Sequence, residues 1–224
     1  WNVATHKPIG KDFVGHKGFV SSVAFSPDGK TLVSAGEDKT VRRWETTTHT
    51  QNGSPLIGHE GFINAVAFDF DGYTVASAGE DKTVRLWDLK SHPSASTNRQ
   101  LWTSPPTRAG MFGIAFDPVG RTLALALMTE TTHNGTIPLW DVTTRRPVSN
   151  PLVAHQGTVF SVAFSPDGRV LATAGEDGTI RLWNVATHQQ IGTPLVGHTS
   201  GVNSAVFSSD GGTLASASND QTVR

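Results

Sequence analysis

Cysteine is absent from all 224 residues, which removes disulfides, thiolate metal sites and thiol nucleophiles at once. Charge of one sign is also missing: 18 basic residues offset 19 acidic ones, so the formal net charge is −1. That balance gives no electrostatic ground for binding nucleic acid or an anionic membrane. No apolar run approaches the roughly 18 residues that a membrane-spanning helix needs, and the first residues lack the basic and apolar regions of a signal peptide. A soluble protein of cytoplasmic location is therefore expected. No stretch carries an apolar period of about 3.6 residues, so helices are not expected either. A starting methionine is lacking as well; the chain opens at Trp1, and we expect a segment of a longer array in preference to a self-contained five-membered ring in which Trp1 completes the last unit.

What is present is repetition. Tryptophans stand at Trp1, Trp44, Trp87, Trp140 and Trp183, spaced 43, 43, 53 and 43 residues apart. The stretch Ala78–Asp88, reading Ala-Gly-Glu-Asp-Lys-Thr-Val-Arg-Leu-Trp-Asp, returns nearly unchanged at Ala35–Glu45 and Ala174–Asn184. Within each interval four short apolar stretches recur between turn residues; in the second unit they centre on Pro55–Ile57, Ile63–Phe68, Thr74–Ala78 and Thr83–Trp87. Such spacing points to an antiparallel meander. Ser26-Pro27-Asp28-Gly29 and Ser165-Pro166-Asp167-Gly168 place proline second and glycine last in a type I turn, as hairpin connections require. The repeat units are 2–44, 45–87, 88–140, 141–183 and 184–224, with Trp1 outside them.

These residues resemble the WD40 repeat family over essentially the whole chain. Gly15-His16, Gly58-His59 and Gly197-His198, with Ala154-His155 as a variant, each precede an apolar stretch; a hydroxyl residue, an aspartate and a Trp-Asp-like pair follow at fixed offsets. The resemblance implies an all-β fold, a β-propeller of five four-stranded antiparallel blades, each repeat supplying the outer strand of one blade and the inner three of the next. It also implies a buried hydrogen-bond network in each regular unit: His16, Ser34, Asp38 and Trp44; His59, Ser77, Asp81 and Trp87; His155, Thr173, Asp177 and Trp183; His198, Ser216 and Asp220. The third unit is degenerate. Thr107, Leu125 and Asn134 stand at its histidine, serine and aspartate positions, extra residues fall within 90–106 and 128–133, and Pro138 lies in the strand leading to Trp140.

Other chemistries read less well from the same residues. Histidine, serine and aspartate in every unit mimic a hydrolase triad, but catalysis needs one nucleophile beside an oxyanion hole, which repetition does not supply. Phe25–Thr31 ends like a phosphate-binding loop, yet it lies between strands and has Ala24 where the motif opens on glycine. Asp69-Phe70-Asp71-Gly72 begins like a calcium loop and lacks the later ligands. Asn52-Gly53-Ser54 and Asn134-Gly135-Thr136 match glycosylation acceptors, which matters only in a secreted chain. His6, His49, His92 and His188 each follow a tryptophan by five residues and read as turn residues, too far apart to share a metal. No cofactor and no metal are expected.

The resemblance also indicates where a partner would sit, on the face carrying the Gly-His loops. The corresponding positions are Phe19, Ser21 and Glu37; Phe62, Asn64 and Glu80; Gly110, Phe112 and His133; Thr158, Phe160 and Glu176; Gly201, Asn203 and Asn219. Phenylalanine with glutamate favours a basic or mixed apolar-basic protein segment; the competing reading packs the phenylalanines between blades and leaves the glutamates as turn sequence. A non-catalytic interaction scaffold is expected, with self-association if the propeller is open. The alternatives are the sensor or regulatory region of a bacterial signalling ATPase or kinase, and an enzyme using the central channel.

Overall fold

The computed structural model describes residues 2–90, 100–104, 107, 110–127 and 134–224. Every element in them is a β-strand, as expected for short alternating stretches rich in valine, threonine and alanine. The first sheet runs β1 (Val20–Phe25), β2 (Thr31–Gly36) and β3 (Thr40–Glu45), and two short pieces, β4 (Thr50–Gln51) and β5 (Leu56–Ile57), line the outer edge of β3. The second is β6 (Ile63–Phe68), β7 (Thr74–Gly79), β8 (Val84–Asp88) and β9 (Gln100–Thr103).

The third sheet is built from β10 (Met111–Phe116), β11 (Thr122–Leu127), β12 (Asn134–Ile137), β13 (Leu139–Asp141), β14 (Arg146–Pro147) and β15 (Leu152–Gln156). Its third strand is split at Pro138, which has no N–H to give the ladder and which instead accepts at its carbonyl from Leu125 N–H. The fourth sheet is regular: β16 (Val159–Phe164), β17 (Val170–Gly175), β18 (Ile180–Asn184) and β19 (Gln190–Leu195). The fifth holds β20 (Val202–Phe207) and β21 (Leu214–Ser218), with a single further bridge between Ala217 and Val223. Five four-stranded units, the third degenerate, were expected; in the fifth the described residues form two strands, with residues 222–224 laid antiparallel along β21 through Ser218 N–H to Thr222 O at 3.2 Å and reciprocal Ser216–Arg224 backbone bonds at 2.9 Å.

Sheet regularity comes from the turns. Each hairpin between the first two strands of a blade closes on a left-handed glycine; Gly29 has φ of 69° and its N–H donates to Ser26 O at 2.8 Å. Each first strand also carries a β-bulge at the same place, Val20/Ser22 in β1 and Ile63/Ala65 in β6, which increases local twist. His6, His49 and His188 adopt φ of 55°, 58° and 59° at five-residue turns, and Arg145 takes the same conformation in the third unit. His92 and the segment 128–133 lie outside the described residues, as does Trp1.

The first strands stand side by side in chain order, β1 against β6, β6 against β10, β10 against β16 and β16 against β20. The core lies between sheets. Val33, Ala35 and Val41 of the first blade meet Ile63, Val66, Val75 and Trp87 of the second, and equivalent joins follow down the row. The row is open: Val20, Val23 and Phe25 of β1 are exposed where their counterparts in the other blades are covered.

Candidate functional site

Two sets of residues concentrate at the Gly-His end of the blades, a buried polar network and a ring of side chains around it. In the second blade His59 Nδ1 lies 2.8 Å from Asp81 Oδ2 and Nε2 2.7 Å from Ser77 Oγ. Trp87 Nε1–H donates to the same Ser77 Oγ at 2.8 Å. An indole N–H can only donate and a carboxylate can only accept, so the order of protons is fixed. Trp87 donates to Ser77, whose hydroxyl donates to Nε2, and the neutral imidazole donates from Nδ1 to Asp81. Burial pushes the His59 imidazolium pKa down, against the pull of Asp81, which fits that neutral tautomer.

Equivalent chains run through the other regular units. His16 reaches Asp38 at 2.9 Å and Ser34 at 2.7 Å, with Trp44 donating to Ser34 at 2.7 Å. His155 reaches Asp177 and Thr173 at 2.9 Å each, and Trp183 donates to Thr173 at 3.0 Å. In the fifth unit His198 lies 2.8 Å from both Asp220 and Ser216. Each aspartate also takes the backbone N–H after its histidine, as Asp81 takes that of Glu60 at 2.9 Å. Burial works against ionisation of Asp38, but hydrogen bonds from His16, Lys17 N–H and Thr40 prevail and hold its carboxyl at about 2. Asp177 is lowered further by the same opposition, and at Asp220 the Thr222 hydroxyl is the largest influence. Ser34, Ser77, Thr173 and Ser216 are buried. A hydroxyl sealed from water and committed to an imidazole has no room to attack a substrate, so these sets hold strands together rather than form triads.

The third unit lacks the chain. Leu125 and Trp140 occupy the serine and tryptophan places, and the buried Trp140 Nε1–H finds no partner among the described residues. Thr107, at the histidine place, ties its N–H to Lys82 O at 2.8 Å. Trp102 of β9 packs against Trp140 with ring centroids 5.2 Å apart, supplying apolar contact where the polar chain is missing.

The surrounding ring divides by burial. Phe19, Phe62 and Phe112 are exposed, Phe160 is half-buried, and Phe112 and Phe160 meet edge to face at 5.9 Å. Glu80 and Glu176 are exposed and Glu37 half-buried. Glu37 and Glu176 each accept a backbone N–H, from Phe19 at 3.1 Å and Thr158 at 2.9 Å, so their carboxylates also brace the loop. Three other positions face their own scaffold. Thr158 is buried, Asn64 Nδ2 donates to Met111 O at 2.9 Å in the next blade, and Ser21 Oγ lies against Ala35 O and Ile63 O. Asn203 donates to Asn219 at 2.6 Å, both exposed. His133 lies outside the described residues. Two features escaped the sequence reading: the bracing by Glu37 and Glu176, and the buried Asp69, visible in the sequence only as an aspartate where the first, fourth and fifth turns have serine.

Repeated antiparallel blades, three of them bolted at one end by a His–hydroxyl–Trp chain, define a repeat protein of propeller type. The family described as WD domain, G-beta repeat matches residues 7–45, 50–88, 146–184 and 188–224, and the chain belongs to it. The matches leave out the third unit, where the polar chain is absent. Among curated proteins, the chain is 59% identical over 29 residues, 13% of its length, to DDB1- and CUL4-associated factor 13 of Dictyostelium discoideum. It is 39% identical over 67 residues, 29% of its length, to COMPASS component SWD1 of Saccharomyces cerevisiae. The matched stretches span 6% and 15% of those proteins. No helix among the described residues is long and apolar enough to cross a membrane.

Proposed function

We propose that this array is a non-catalytic interaction scaffold that takes a basic or mixed apolar-basic protein segment on its Gly-His face. The observation that carries this reading is the line of aromatic and acidic groups across adjacent blades. Phe62 is exposed with its carbonyl accepting Glu80 N–H at 2.7 Å; Phe112 and Phe160 continue the line edge to face, and Glu176 lies beyond Phe160 at Gly201. Exposed aromatic rings on rigid strands offer contact area at little entropic cost, and the carboxylates favour lysine or arginine between them. The names of the two relatives, an associated factor and a complex component, support a role in company with other proteins.

The test is an array of synthetic peptides, lysine- and arginine-rich with interspersed leucine, against acidic counterparts of the same length. Wild-type protein is expected to retain the basic set. Phe112→Ala and Glu80→Lys should melt as the wild type does and lose about tenfold or more in affinity. Equal binding of acidic and basic peptides, or variants that bind unchanged, would refute the reading. Unfolding of Phe62→Ala would assign that ring to packing between blades.

A further inference from the structure

We infer that the cleft between the hairpin turns of the first and second blades, at the end away from the Gly-His loops, binds a carboxylate-bearing ligand through Arg43. The repeats differ at this place. In β3 Arg43 pairs with Val33, and in the equivalent registers stand Leu86 against Ala76, Leu139 against Ala124 and Leu182 against Ala172. Leu86 and Leu139 are buried in the packing between blades. The fold is served by an apolar side chain here, and of these four blades the first alone sets a guanidinium in its place.

Arg43 is held in position but not neutralised. Its Nε–H donates to Asn52 O at 2.9 Å, Nη1 to Leu89 O of the second blade at 3.2 Å and Nη2 to Asn52 Oδ1 at 3.3 Å. All three acceptors are uncharged, and none of the ion pairs among the described residues includes Arg43. A guanidinium carries five N–H groups, so one on each terminal nitrogen is left over. Burial pulls its pKa down, yet the group keeps its proton; a half-buried positive charge therefore stands without a counter-ion. The aspartates of the cleft are matched already. Asp28 accepts from Ser26 Oγ at 2.6 Å and Lys30 N–H at 3.0 Å, with the Lys30 charge beside it. Asp71 accepts from Tyr73 N–H at 2.7 Å and Thr74 N–H at 2.9 Å and lies 3.8 Å from Lys90 Nζ. With each aspartate beside its own lysine, the Arg43 charge is the one that a ligand must balance.

The cleft has the size and walls for such a ligand. Its volume is about 380 Å³, and Pro27, Thr31, Asn52, Tyr73 and Leu89 line it with Arg43, on the scale of sites that enclose small molecules. Tyr73 is 50% exposed, and Lys90 Nζ sits 5.1 Å from its ring centroid, which keeps that lysine engaged with the ring and with Asp71. Pro27, Leu89 and the Tyr73 ring offer apolar contact next to the guanidinium. Guanidinium N–H groups match the two oxygens of a carboxylate in spacing and plane. A doubly charged phosphate would bring a second negative charge against Asp28 and Asp71, so the single charge of a carboxylate fits this cleft better. The ligand is a carboxylate on a compact apolar body, either a free acid or the last residue of a polypeptide.

Titration of the isotope-labelled chain with isovalerate, followed by NMR, is expected to shift the Arg43 Nε–H and the Gly72 and Tyr73 amides to saturation. Isovaleramide has the same shape without the charge and should bind about tenfold more weakly or less; inorganic phosphate should also bind more weakly than isovalerate. N-acetyl-glycyl-leucine separates the two sources of the carboxylate: tighter binding than isovalerate assigns the cleft to a polypeptide end, and weaker binding assigns it to free acids. Arg43→Leu restores the residue of the other repeats. It should melt no lower than the wild type, since an apolar side chain replaces an uncompensated charge, and should lose about tenfold or more in affinity for isovalerate. Arg43→Gln takes its place in the titration if the leucine variant unfolds. No saturable shift with either carboxylate, equal binding of acid and amide, tighter binding of phosphate, or binding that survives the loss of Arg43 each overturns the inference.

Discussion

Asp69→Ser is expected to stabilise the protein at neutral pH and to abolish one component of its pH dependence. In the first, fourth and fifth blades the hairpin turn opens on serine. Ser26, Ser165 and Ser208 donate to Asp28, Asp167 and Asp210 at 2.6, 2.6 and 2.5 Å, and each accepts a backbone N–H, that of Thr31 at 2.9 Å in the first case. The second blade has Asp69 there, buried, with Oδ1 lacking a partner among the described residues. Burial first, then the charges of Asp71 and Asp117, push its carboxyl up to about 6 from 3.8. At 1.36 kcal/mol per pKa unit this amounts to about 3 kcal/mol at most, and a buried unsatisfied acceptor ordinarily costs about 1–3 kcal/mol.

The sign follows from linkage. Below pH 3.8 Asp69 is protonated in both states and contributes no penalty. Between about pH 4 and pH 6 the unfolded chain ionises while the folded one keeps its proton, so stability falls as pH rises; above about 6 the full cost is present. Urea unfolding of wild type and Asp69→Ser at pH 4, 5, 6, 7 and 8 measures this directly. The stability difference should be near zero at the acid end and reach a plateau of about 1–3 kcal/mol in favour of serine above pH 6. Asp69→Asn should flatten the pH dependence in the same way. A pH-independent difference, or a serine variant less stable than wild type at pH 7, would refute the reasoning.

Two predictions concern the polar chains. His59→Ala leaves Asp81 and Ser77 without their shared partner in a buried blade end and should cost about 1–3 kcal/mol in thermal or urea unfolding; an unchanged melting temperature would contradict a stabilising role for that chain. Trp87→Phe removes a donor that Ser77 uses, whereas Trp140→Phe removes an N–H that has no partner among the described residues, so the first should cost about 1 kcal/mol more than the second when both are compared by urea unfolding.

The WD40 fold was legible because its signals are local. Tryptophan spacing, Ser-Pro-Asp-Gly turns and alternating apolar stretches are set by strand period and turn geometry, which neighbouring residues decide among themselves. Even the split at Pro138 could be read from a missing N–H. The residues of each polar chain could be named from their offsets, but the direction of its protons and the burial of its hydroxyls come from strands brought together across 22 residues of chain. Among the candidate contacts the sequence could not separate Thr158, which is buried, from Phe62, which is exposed, because the difference depends on the bend of a loop and the blade beside it.

The sequence by itself determined what a regular repeat is: an antiparallel meander of short strands with a polar chain at one end. Tertiary structure decided what each repeat experiences. Val23 and Val66 hold the same place in near-identical repeats, yet one faces water and the other a neighbouring sheet, because burial belongs to the packing of blades and not to the strand. Asp69 takes its proton from a similar cause: desolvation and the charge of Asp117 reach it from the adjacent blade. Local pattern fixes strands and turns through short-range sterics, while exposure and electrostatics depend on which surfaces meet.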